Sequence, residues 1–141
     1  MNRNRRGFTL VELVIAIAIL AILMAIAVPV YQGYSIRAKV SEGIDGMAGA
    51  KTAVAETFQN TGEVPNHAAT GFPPNAQSEY VDAIDIAGDG SGAITVTTRD
   101  TGASPDVVLT FTPALVSGQP VSWNCSLDQG RPIFVPTECR N

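Results

Sequence analysis

The stretch Arg6-Gly7-Phe8-Thr9-Leu10-Val11-Glu12-Leu13, with the apolar run that it opens, dominates the physical chemistry of this chain. From Leu13 to Val30 no side chain is charged, and Leu, Ile, Val, Ala and Met fill nearly every position. Eighteen such residues are enough for a membrane-spanning helix. Phe8 to Tyr31 would reach about 36 Å in that form. Two details set the segment apart. A short head, Met1 to Gly7 with Arg3, Arg5 and Arg6, meets the apolar run without a spacer. One acid, Glu12, then sits inside apolar territory, where a charge costs about 2.5–3.5 kcal/mol on insertion scales. A compensating group is expected.

Gly-Phe-Thr-Leu-x-Glu followed by some twenty apolar residues resembles the prepilin signature of type IV pilins and their pseudopilin relatives. The resemblance implies that a membrane-embedded aspartyl prepilin peptidase cuts after Gly7 and methylates the new amino terminus at Phe8. Residues 1–7 would then be a leader peptide, and residues 8–31 a hydrophobic helix retained in the mature protein. Residues 32–141 would form the globular pilin domain. The rival reading is an ordinary secretory signal, for which Ala25-Ile26-Ala27 supplies an A-x-A site. Against it, the core is too long and carries Glu12, and Gly-Phe-Thr-Leu is left unexplained.

Charge orients the segment. Arginines precede the apolar run, so the head is expected to stay cytoplasmic and the rest to be exported. The formal charge is -4, and removing the three head arginines leaves six basic against thirteen acidic residues, about -7. So acidic a chain has no basic stripe to release phosphate counterions, and no specific nucleic-acid binding is expected.

Pro29 lies inside the helical pattern, where a missing N–H and a ring clash should kink the helix. Beyond it, Ile36, Val40, Ile44, Met47, Val54 and Phe58 recur at spacings of three, four and seven. Arg37, Lys39, Glu42 and Asp45 take the other face. The expected helix is continuous to Gln59 and packs this stripe on a small domain. Gly33, Gly43, Gly46 and Gly49 are unfavourable in it, at about 1 kcal/mol each against alanine. They mark close packing or, as the resemblance to type IVa pilins implies, a stretch, Val28 to Gly33, that can melt on assembly. Gly62 and Pro65 end the helix, and residues 60–79 read as a surface loop holding the one histidine, His67.

Four strand-like runs follow, Tyr80–Ala87, Ala93–Arg99, Val107–Thr112 and Val121–Cys125, separated by Gly-, Pro- and Asp-rich turns. The class is therefore α+β, with a long N-terminal helix packed on a four-stranded antiparallel meander. Cys125 and Cys139, an even pair in an exported chain, read as a disulfide in preference to free thiols or a metal pair. Trp-x-Cys and Phe-x-Pro-x-x-Cys are similar to the disulfide-closed C-terminal region of Pseudomonas-type pilins. That similarity implies an exposed loop, Ser126 to Glu138, able to contact host or abiotic surfaces.

The residues point away from catalysis. There is no Gly-rich phosphate loop, no nucleophile with a partnered base, and no carboxylate pair in an expected pocket, and no cofactor or metal is expected. The resemblance implies the major subunit of a type IV pilus, made in the bacterial inner membrane and then extruded by the pilus assembly machinery. Its partners would be the prepilin peptidase and identical subunits in a helical homopolymer. The filament would serve twitching motility, adhesion and DNA uptake. A minor pilin or a type II secretion pseudopilin is the alternative. In either case Glu12 is expected to pair with the Phe8 amine, within one chain, where residues four apart face each other, or between neighbours as the resemblance implies, so that each offsets the other's burial.

Overall fold

Helix α1 (Leu10–Gly46) begins two residues after Phe8 and runs through Pro29. The computed structural model describes residues 7–73 and 76–140, and its contacts divide into two units at Tyr34/Ser35. In the first unit every large apolar side chain from Phe8 onward is at least half exposed, from Val14 at 50% to Phe8 at 79%. By length and composition α1 can cross a membrane. A helix apolar all round needs lipid or other helices as its surroundings.

The second unit starts with the remainder of α1, which stops at Gly46, thirteen residues short of the Gln59 to which a continuous helix is expected. Met47 interrupts it, and α2 (Ala48–Thr61) follows. Gly46 and Gly49 flank this point and weaken the helix on both sides. The interruption is one residue wide, because the Met47 carbonyl still accepts the Lys51 N–H at 2.9 Å. Gly62 ends α2 as expected. It is left-handed (φ 72°) and its N–H returns to the Phe58 carbonyl at 2.8 Å.

The expected surface loop carries a short helix, α3 (His67–Thr70), opened by the Asn66 side chain accepting the Ala69 N–H at 2.9 Å. His67 Nδ1 accepts the Ile86 N–H at 3.4 Å, which ties this turn to the first strand.

Strands β1 (Val81–Ile86), β2 (Ile94–Thr98), β3 (Val108–Ala114) and β4 (Ser122–Gln129) form an antiparallel sheet in the order β1-β2-β3-β4. The imperfect alternation of the first run has a cause. The register against β2 shifts between Val81 and Ala83, so one residue is inserted and the pleat resumes at Ile84. The inner face, Ile84, Ile86, Ile94, Val96, Leu109 and Phe111, packs with Val40, Met47, Ala50 and Val54 of the helices. Each fully buried Val contributes about 1.5–3 kcal/mol. Gly43 lets α1 approach the sheet closely, since a Cβ there would stand 3.2 Å from Val96 Cγ1. Thr98, buried in this core, accepts the Val107 N–H and donates to the Val107 carbonyl, both at 3.0 Å. Both polar groups are thereby satisfied where water is excluded.

Candidate functional site

Two regions carry the residues singled out by the sequence, and each is built locally. At the amino-terminal end, Thr9 precedes the first residue of α1, and its carbonyl accepts the Leu13 N–H at 3.2 Å. Its hydroxyl accepts the Glu12 N–H at 3.3 Å and donates to Glu12 Oε2 at 2.7 Å. The Thr9 N–H also donates to Oε2, at 2.9 Å. Thr9-Leu-Val-Glu12 is thus a reciprocal capping box, satisfying helix-end N–H groups that lipid could not. Sequence reasoning left Thr9 without a role, although Thr-x-x-Glu ahead of an apolar run is the written signature of this device.

The box uses one carboxylate oxygen. Among the described residues Oε1 accepts no hydrogen bond, so Glu12 keeps capacity for a further donor. Gly7 is unconstrained by its own chain. A Cβ built there meets nothing within 4 Å, and its backbone is not left-handed. Pro29 lies in α1, which continues on both sides of it.

At the other end, Cys125 of β4 is bonded to Cys139, with Cα atoms 4.7 Å apart and a sequence separation of fourteen. The fourth strand runs four residues further than its apolar pattern suggests, to Gln129. Ser126 and Leu127 pair with Thr110 and Leu109 of β3. The expected exposed loop is therefore shorter. Gly130 (φ 116°) turns the chain where a Cβ would stand 3.2 Å from the Val107 backbone. Two 3-10 turns, Pro132–Phe134 and Thr137–Cys139, close the segment. Phe134 and Val135 are buried, whereas Ile133 is 56% exposed.

The family model described as pilin, a bacterial filament protein, matches residues 36–140, and that of the prokaryotic N-terminal methylation motif matches residues 2–28. The chain belongs to the pilin family.

Fimbrial protein EcpC of Eikenella corrodens is similar to this pilin at 37% identity over 146 residues, covering 100% of this chain and 94% of that one. The type IV major pilin protein PilE1 of Neisseria gonorrhoeae is 39% identical over 111 residues, which are 76% of this chain and 66% of that protein. A crystal structure of a Pseudomonas aeruginosa type IV pilin, strain Pa110594, superposes with a TM-score of 0.55 at 18% identity. It covers 75% of this pilin and 98% of that chain, and the likeness is one of fold. The family is one of structural subunits, not of enzymes. The long helix, four-stranded antiparallel sheet and C-terminal disulfide expected from the sequence are those of a type IV pilin.

Proposed function

We propose that this pilin is the major subunit of a type IV pilus. The observation that carries the reading is the run of exposed apolar residues from Phe8 to Tyr34, opened by one capped carboxylate and preceded by Gly7. Residues 1–7 are the leader. Residues 8–31 are the helix that crosses the inner membrane with its start on the cytoplasmic side, then enters the filament core. Residues 32–141 are the domain that coats it. An unconstrained glycine at position 7 fits a requirement imposed from outside the chain, by the prepilin peptidase.

Hydrolysis of the Gly7–Phe8 peptide bond leaves a carboxylate on the leader and an amine on Phe8. Methylation of that amine preserves its positive charge. Thr9 holds Glu12 at the helix start, and the Glu12 oxygen left over by the capping box receives the Phe8 ammonium of a neighbouring subunit. A buried ion pair is tolerated where further hydrogen bonds complete it, and Thr9 supplies them. Repeating the pair head to tail gives a contact that does not close, hence a filament. Pro29 is the point at which the helix bends, and Val28 to Gly33 the stretch that yields on extension.

The relatives described as fimbrial and major pilin proteins support the choice of a major subunit. Extension and retraction of the filament then account for twitching, adhesion and DNA uptake. The test is a deletion strain examined by electron microscopy and on twitching plates. Loss of all surface filaments with loss of twitching is expected. Filaments of ordinary number, with the chain found only in the envelope, would make it a minor pilin or a pseudopilin.

A further inference from the structure

Resting on the filament reading above, we infer that a second copy of this chain seats its C-terminal loop, through Arg131, Ile133 and Arg140, in an acidic groove between α1 and β1. The groove holds about 430 Å³. Its floor is Gly46, Ala76, Val81 and Ile84, and its rim carries Glu42 and Asp45, one helical turn apart on α1. Glu42 accepts the Ser78 hydroxyl at 2.6 Å. Asp45 is exposed and has no hydrogen bond or ion pair among the described residues. An apolar floor under two carboxylates calls for an apolar knob flanked by cations.

The C-terminal loop offers such a knob in Ile133 with Arg131 and Arg140, beside one exposed acid, Glu138, which accepts the Thr137 hydroxyl at 3.1 Å. Two cations border the groove but are already engaged. Lys39, one turn before Glu42, lies over the Tyr80 ring, and Arg99 binds Asp82 and the carbonyl of the groove residue Ser78, while Lys51 lies over Phe111. Arg131 and Arg140 face no carboxylate among the described residues. Arg131 lies over the Phe134 ring at 5.4 Å, and Arg140 Nε donates to the Val135 carbonyl at 3.1 Å. Both are exposed, with Ile133 between them in the same segment. The disulfide and these contacts hold the segment in place, so that little ordering is left to be done on docking.

Topology excludes the subunit's own loop as the occupant, and the filament reading supplies another copy. The groove lies at the β1 edge, whereas the loop follows β4 and its last turn packs on that strand. Three strand spacings, about 14 Å, separate the two edges. Knob and hole therefore sit on opposite sides of one subunit and meet only between subunits. Such a contact is heterologous and propagates, as a filament requires.

The test reverses charge on each side in the full chain, expressed in a strain lacking its own copy. One variant carries Arg131→Glu with Arg140→Glu, a second Glu42→Lys with Asp45→Lys, and a third all four. Sheared filament yield is measured, with membrane abundance and disulfide formation as the control for folding. We expect each paired reversal to lower the yield at least about tenfold, since like charges then meet across the contact. The fourfold variant should recover most of it. The groove variant leaves the disulfide loop untouched, so it decides the matter if the loop variant does not accumulate. Wild-type yield from the groove variant, or a fourfold variant no better than the pairs, would overturn the contact. Failure of the unaltered chain to form filaments would instead remove the filament reading, and the contact with it.

Discussion

Thr9 donates its backbone N–H and its hydroxyl to the same carboxylate oxygen of Glu12, at 2.9 and 2.7 Å. The acid that looks anomalous in an apolar run thus has a local partner before any neighbour arrives, and it caps a helix whose first N–H groups would otherwise face lipid. Capping and charge can be separated. Glutamine at N3 also completes a capping box, so Glu12→Gln retains the helix start and removes the anion. We expect both Glu12→Gln and Glu12→Ala to insert and be cleaved normally, and both to lose filaments. Membrane fractionation and shearing check this. Normal filaments from Glu12→Gln would mean that the carboxylate matters only as a cap.

Gly43 is one of four helical glycines, and it is the one in tight contact. A Cβ there would meet Val96 Cγ1 at 3.2 Å, with Thr98 Cγ2 and Val81 Cγ2 at 3.5 Å, while at Gly33 it meets nothing within 4 Å. Gly43→Val should destabilise the second unit by about 1–3 kcal/mol through overpacking. Gly33→Ala should cost nothing there and raise helix propensity by about 1 kcal/mol. Denaturant unfolding of the full chain in detergent compares the two.

The disulfide spans fourteen sequence positions. In the chain-entropy picture, closing a loop of this size is worth about 3 kcal/mol. Cys125→Ser with Cys139→Ser should lower the unfolding midpoint accordingly, and a reductant should do the same to the wild type while leaving the double variant unchanged.

Lys51 places its ammonium 4.2 Å from the centre of the Phe111 ring and 5.5 Å from that of Trp123. Desolvation against these rings lowers its pKa from the ordinary 10.5. In the interval below 10.5 the unfolded chain holds this proton more fully than the folded one does, so folding stability rises with pH there. The wild type should therefore gain stability relative to Lys51→Met as pH climbs towards 10.5, and gain no more above it. Unfolding midpoints of both chains across the alkaline range check the sign. A difference that shrinks with rising pH would contradict it.

Much of this fold could be read from residue order, because strong local signals agreed with the packing that followed. Gly62 ends α2 in the left-handed conformation expected of a helix stop, and the stripe Val40, Met47, Val54 is the buried face. The departures have specific causes. Met47 interrupts the helix between weakening glycines, an effect too small to locate by periodicity. The β4 extension through Ser126-Leu-Asp-Gln129 is polar and lacks alternation, and only its pairing with β3 reveals it. Thr110 donates to Asp128 Oδ2 across that pair, a bond between residues eighteen apart in sequence that no local pattern encodes. Of the candidate site, Glu12 stood out by its cost in lipid, whereas Thr9 was legible only as part of the Gly-Phe-Thr-Leu signature and not as a helix cap. The acidic groove and the two arginines at opposite sheet edges emerge only once strand order is known.

The most direct test of the whole account is the intact mass and amino-terminal residue of the protein recovered from sheared surface filaments. We expect residues 8–141 beginning with N-methyl-Phe8, heavier by one CH2 (a methyl replacing a hydrogen) and, for the disulfide, two hydrogens lighter than the bare sequence. A soluble product beginning at Val28, after Ala25-Ile26-Ala27, would contradict it.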